Sequence, residues 1–148
     1  MRIAIGCDHG GFKLKLALIQ FLKSAGHSVK DFGAYDKESC DYPIFAAQVG
    51  RAVGSGKFNR GVLICKTGIG MVMSANKIRG VRAAVIHDMA SAVSSREHND
   101  SNVIAFGSRF IKPKKAKEIL RVWLKARALG GRYRRRVQLM NKLEARSR

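Results

Sequence analysis

Short apolar runs rich in β-branched residues alternate along this chain with longer stretches in which apolar residues recur every three or four positions. The runs RIAIG (2–6), SVKDF (28–32), GVLIC (61–65), RAAVI (82–86) and NVIAF (102–106) predict strands. After the first of them, Phe12, Leu16, Ile19 and Leu22 fall at helical spacing with lysines on the other side, and Gly26 ends the helix they predict. A second helix opens around Pro43, where a missing N–H is tolerated, and occupies 42–56. Further helices are predicted over 70–80, 88–99 and 112–131, and a last one from about Arg132 to Glu144. Strand–helix–strand repetition of this kind predicts an α/β fold with a parallel sheet covered by helices on both faces. No linker, repeat or low-complexity segment interrupts it, so 1–148 is expected to form a single domain.

In open parallel sheets, ligands bind beyond the carboxyl ends of the strands. The first, third and fifth strands end in CDHGG, CKTGIG and GSR, and REHND stands just before the fifth. These four segments hold the candidate chemistry.

Composition changes the picture in one respect. The hydrophobic fraction of 46% and the charged fraction of 26% are ordinary for a globular protein. The net charge of +19 is not, and residues 109–148, with 15 Lys and Arg against 2 Glu, supply +13 of it. Such a bias points to an anionic partner or to solvated helix faces in a generally basic chain. Aromatic residues at 7% and the lack of a reader motif give no stacking platform, so nucleic acid is not an expected partner. No apolar run approaches bilayer length, so no membrane association is expected. The three cysteines, Cys7, Cys40 and Cys65, lack any C-x-x-C spacing, and suggest reduced thiols in a cytoplasmic protein rather than disulfides or a metal site. The N-terminus enters a strand pattern at once, with no signal peptide expected.

Cys65 ends a buried strand and is followed by Lys66, Thr67, Gly68, Ile69 and Gly70. Amides of such a turn form a nest for negative charge, which a thiol at its lip can share. The plainer alternative is a tight turn beside a small core cysteine. Asp8 and His9 are an acid–base pair at a strand end, or a helix cap beside a surface histidine. His98 and Asn99 suit proton transfer to a sugar oxygen, or merely end a helix. Arg132 and Arg136 lie four apart and so share a helix face that can fork a phosphate, unless the arginine run is a non-specific charged surface.

Taken together, GCDHGG, DYP (41–43), C-x-TGIG (65–70), ANK (75–77), GVRAA, SREHNDSNVIAFGSR (94–109) and GGR-xxx-R (130–136) resemble the type B ribose-5-phosphate isomerases, in order and along the whole chain. The resemblance implies a Rossmann-like three-layer α/β/α sandwich with a five-stranded parallel sheet and an extra C-terminal helix completing the phosphate site and dimer. It implies an aldose–ketose isomerase working through a cis-enediolate without metal or other cofactor. Cys65 would be the base, Thr67 would stabilise the reacting oxygens and His98 would open the sugar ring. Asp8, His9, Tyr42, Lys66, Gly68, Ile69, Gly70, Asn99, Arg109, Arg132 and Arg136 would bind the substrate. A homodimer, or a tetramer, is implied, with the His-Asn pair reaching the site of the neighbouring subunit. Met71 stands where another branch of the family has its glutamate, which makes this chain one of the cysteine type. The alternatives to ribose 5-phosphate are six-carbon sugar phosphates (allose or galactose 6-phosphate) or, in another class, a non-catalytic nucleic-acid-binding relative. The family usually has glycine where this chain has Lys66, so the loop is expected either to be strained there or, with an ordinary backbone, to supply charge to the enediolate or narrow the pocket.

Overall fold

The structure, a computed structural model, describes residues 1–146. Its strands are β1 (Arg2–Cys7), β2 (Ser28–Asp31), β3 (Arg60–Cys65), β4 (Ala83–Val85) and β5 (Val103–Gly107). Its helices are α1 (Phe12–Ser24), α2 (Tyr42–Gly54), α3 (Ile69–Ala75), α4 (Met89–Glu97), α5 (Pro113–Lys125) and α6 (Arg132–Arg146). The strands form one sheet in the order β2-β1-β3-β5-β4, and every neighbouring pair is parallel. This is the expected five-stranded α/β sandwich.

Alternation along the strands divides the core into two layers. Ile3, Ile5, Val62, Ile64, Ile104 and Phe106 face α1, α4 and α5, meeting Leu18, Ala92 and Trp123. Ala4, Leu63, Cys65, Val103 and Ala105 face α2 and α3, meeting Val49, Val53, Met71 and Ala75. Both faces being covered explains why the strands read as continuous apolar runs rather than as polar–apolar alternation.

The buried stripe of α1 differs from the one its spacing predicts. Leu14, Leu18 and Leu22 are buried, Phe12 and Ile19 are half-buried, and Leu16 is 49% exposed. The helix is turned so that Lys15, expected on the solvent side, has no exposed surface at all. Its Nζ donates to both carboxylate oxygens of Asp31 at 2.8 Å and to the Ala34 carbonyl at 2.6 Å, and it lies over the rings of Phe12 and Tyr35. An ammonium is tolerated inside only with such partners. They come from a segment sixteen residues or more away in sequence, which periodicity cannot register.

Two helices end five or six residues short of their expected spans. α3 stops at Ala75 because the Asn76 side chain turns to β4, donating to the Ala83 carbonyl at 3.0 Å and accepting the Ala83 N–H at 2.7 Å. α5 stops at Lys125, where Ala126 becomes extended and its carbonyl accepts from Arg96 Nε at 3.4 Å. The segment to α6 is then held by the Leu129 N–H donating to the Glu97 carbonyl at 2.9 Å. Among its residues up to Glu144, α6 is exposed except at the half-buried Tyr133, Val137 and Glu144. Among the described residues, no helix is long and apolar enough to cross a membrane.

Candidate active site

Sheet order reverses between β1 and β3: the chain steps outward to β2 on one side and to β5 and β4 on the other. The crevice beyond the carboxyl ends of such a pair is the usual ligand position in open α/β sheets. β1 delivers Asp8 and His9 there, β3 delivers Cys65, and β5, whose Gly107 is level with Cys65, delivers Ser108 and Arg109.

Cys65 is buried, and its Sγ accepts the Gly68 N–H at 3.0 Å. It is therefore both a core residue and the acceptor of a loop amide, a donor that a thiolate holds more strongly than a thiol does. Thr67 Oγ1 accepts the Ile69 N–H at 3.3 Å, which leaves the hydroxyl hydrogen free to point elsewhere. The loop is locked against β5, because Ser108 N–H donates to the Cys65 carbonyl at 2.9 Å and Arg109 N–H to the Lys66 carbonyl at 3.1 Å. Tyr42 opens α2 and lays its ring against Gly70, where an added Cβ would fall 2.6 Å from Tyr42 Cζ.

Gly68 has φ +80, and a Cβ there would lie 2.8 Å from Val85 Cγ2 and 3.2 Å from the Phe106 carbonyl carbon. Both the left-handed backbone and the missing side chain are needed for its N–H to reach Cys65. Gly68→Ala is expected to lower stability by about 2–4 kcal/mol, adding backbone strain to overpacking. A urea unfolding midpoint unchanged from the parent would contradict this.

Lys66 is not strained. Among the described residues the only non-glycine positive φ belongs to Asp100, at +46. Of the expectations for this position, backbone strain is therefore not met, and Lys66 sits at ordinary backbone geometry. Its stem packs over Gly10, where an added Cβ would meet Lys66 Cγ at 2.6 Å, so the lysine bridges the turn after β1 and the loop after β3.

Asp8 is buried, its N–H donates to the Ile64 carbonyl at 3.1 Å, and its Oδ1 accepts the Gly11 N–H at 3.0 Å, capping the 3-10 turn His9–Gly11. The capping reading is thus true of one carboxylate oxygen. His9 Nδ1 accepts the Cys40 N–H at 3.3 Å, so in the neutral ring the proton sits on Nε2. Two residues that sequence reasoning passed over belong to this frame. Ser108 ties all three strand ends together, its Oγ donating to the Gly10 carbonyl at 2.7 Å, and the quoted GSR contained it. Cys40 carried no sequence signal, since its part is played by a backbone N–H.

The remaining candidates stand toward the opposite, amino-terminal ends of the strands. His98 and Asn99 follow α4 and precede β5, whereas Cys65 is level with the end of β5. Four strand steps along β5, about 13 Å, separate its two ends. The turn carrying His98 and Asn99 is clamped by Asp100, whose Oδ1 accepts from Arg96 Nη1 at 2.6 Å and whose Oδ2 accepts from Arg82 Nη2 at 2.8 Å. The His98 ring is stacked on Tyr133, with centroids 4.4 Å apart and planes 7° from parallel. Arg132 Nη2 donates to Tyr133 Oη at 3.1 Å, so Arg132, with Arg136 one turn on, goes with His98 and not with Cys65. Tyr133 was hidden in the arginine run that surrounds it.

A groove of about 710 Å³ runs beside Asn99 between edge strand β4 and α6, lined by Lys77, Arg79, Arg82 and Glu144 among others. The Glu144 carboxylate accepts the Gly80 N–H at 2.7 Å. The third cysteine, Cys7, lies in the core, where burial pushes its thiol up to about 12 against the pull of the Lys15 charge. Among the described residues, no group of three or more His, Cys, Asp or Glu is placed to hold a metal ion.

A family profile described as Ribose/Galactose Isomerase matches residues 3–140. Ribose-5-phosphate isomerase B of Escherichia coli K12 is 46% identical over 145 residues, which is 98% of this chain and 97% of that protein. The D-erythrulose-4-phosphate isomerase of Pectobacterium atrosepticum is 44% identical over 133 residues, covering 88% of this chain and 87% of its own. Among solved structures, the ribose-5-phosphate isomerase B of Clostridium thermocellum superposes with a TM-score of 0.98 at 45% identity, each chain covered completely.

Proposed function

The chain belongs to the ribose/galactose isomerase family, and from that premise we propose that it interconverts ribose 5-phosphate and ribulose 5-phosphate. The observation that carries the reading is the Cys65 sulfur held by the Gly68 amide in the crevice between β1 and β3.

The Cys65 thiolate removes the proton from C2 of the open-chain aldose. The C2–H electrons form the C1–C2 double bond, and the carbonyl electrons move onto O1, giving a cis-enediolate. Loop amides, the Thr67 hydroxyl and the Lys66 charge stabilise that oxygen as its charge develops. A proton passes from O2 to O1, and Cys65 returns its own proton to C1, leaving the ketone at C2. Asp8, His9, Tyr42 and Arg109 hold the sugar chain and its phosphate. No step calls for a metal or organic cofactor.

His98, Asn99, Arg132 and Arg136 serve the same reaction from a second copy of the chain. His98 and Asn99 precede the amino end of β5, and the four strand steps of β5, about 13 Å, separate that end from the level of Cys65, which supports this arrangement. His98 moves the ring-opening proton, and the two arginines clamp the phosphate. A homodimer is the smallest assembly that completes both sites, and a tetramer contains the same pairing. The free cysteines fit a reducing cytoplasm, where we place the protein.

The length of the sugar is set by the span from the 65–70 loop to the partner's arginines. The test is ketose formation from four-, five- and six-carbon aldose phosphates, with and without EDTA. Ribose 5-phosphate is expected to give the highest kcat/KM, unaffected by the chelator. Preference for another chain length would overturn the substrate, and no turnover of any would overturn the isomerase.

A further inference from the structure

His98 closes α4 with its own N–H donated to the Ser94 carbonyl at 2.9 Å, which fixes its backbone. Its imidazole is fixed differently. The oriented contact of the ring among the described residues is the stack on Tyr133, centroids 4.4 Å apart and planes 7° from parallel. Stacking of this kind holds a ring by its face and leaves both in-plane nitrogens clear. That suits an imidazole that must exchange protons with an incoming sugar, because a hydrogen bond to either nitrogen would occupy the atom needed.

Tyr133 is itself anchored. It is half-buried in the first turn of a helix that is otherwise almost wholly exposed, and its Oη accepts from Arg132 Nη2 at 3.1 Å. The Arg132 guanidinium carbon lies 5.0 Å from the centroid of the same ring. One phenol ring therefore meets the group assigned to ring opening and one of the two groups assigned to the phosphate.

We propose that Tyr133 is the positioning residue for His98, holding the imidazole in its working orientation by the ring stack and setting its place relative to Arg132. The proposal rests on the isomerase reading above. Tyr133 touches no reacting atom; it acts through His98. Misplacing a proton-transfer group by about 1 Å can lower a rate about 100-fold, so loss of the stack should appear mainly in kcat.

Tyr133→Phe and Tyr133→Leu separate the ring from its apolar bulk. Phenylalanine keeps the stack and loses only the bond from Arg132, and kcat on ribose 5-phosphate should stay within about twofold of the parent. Leucine keeps the apolar packing without the ring, and kcat should fall about tenfold or more with KM changed less than about threefold. Proton NMR supplies a readout independent of turnover. The carbon-bound ring protons of His98, identified by their absence in His98→Gln, should be shifted upfield by the tyrosine ring current in the parent and in Tyr133→Phe, and relax in Tyr133→Leu. A Tyr133→Leu enzyme with parental kcat, one that changes only KM, or unshifted His98 signals in the parent would overturn the proposal. A parent that turns over no sugar phosphate would remove the role together with the isomerase reading, and the persisting ring-current shift would mark that case as a failure of the reading and not of the stack.

Discussion

Cys65→Ala is expected to lower kcat for ribose 5-phosphate by about 10²–10⁴-fold while KM changes by less than about threefold, the effect of removing a general base whose task is confined to the chemical step. The substrate would still meet Asp8, His9, Arg109 and the partner's arginines. The loop should also survive. Cys65 contributes one sulfur to an amide already positioned by Gly68 and by the Ser108 and Arg109 bonds to the loop carbonyls. Circular dichroism and urea unfolding of the variant check that the fold is kept, and initial rates in both directions check the chemistry. A variant retaining more than about a tenth of parental kcat would remove Cys65 from its role as base.

The second large effect is a gain. Cys65→Ala and His98→Gln, each expected to be nearly inactive alone, should recover about a quarter of parental activity when unfolded together and refolded at equal amounts. In a random mixture about half of the dimers contain one chain of each kind. Each of these has one site carrying both substitutions and one site carrying neither. The expectation follows from geometry: Cys65 is level with Gly107 at the end of β5, and His98 precedes the start of that strand. If one chain supplied both residues to a single site, mixing would recover nothing, and the shared arrangement would be wrong.

These two experiments probe parts of the molecule that the sequence revealed unequally. Cys65 and its loop were readable because the signal is local. An apolar run, a thiol and two glycines lie within ten residues, and strand-to-helix turns of that composition have few ways to fold. Gly68 at φ +80 is such a case, since the backbone that turns the chain also aims the amide. Asp8 was readable as a cap for the same reason, although the turn it caps is the 3-10 turn His9–Gly11 and not α1, whose own N-cap is Gly11. Lys15 was not. Helical spacing put it among the solvent lysines, but the carboxylate and carbonyl that let it stay inside come from Asp31 and Ala34, beyond the reach of any helix period. Tyr133 was missed on similar grounds, because its partner His98 is thirty-five residues away and nothing near it in the chain marks it. The early ends of α3 and α5 belong with these, set by Asn76 reaching β4 and by Arg96 and Glu97 capturing the segment after Lys125.

By itself, then, the sequence determined the kinds of element, their alternation, and through that alternation the parallel sheet and the strand end at which Cys65 must emerge. Each of these follows from backbone preferences and side-chain periods that act over a few residues. The tertiary structure alone decided which face of α1 is buried, that Tyr133 lies on His98, and that Arg132 thereby joins His98 rather than Cys65. Those outcomes depend on contacts between residues distant in the chain, whose energies are settled by packing and by pairing of buried charge once the whole sheet has formed.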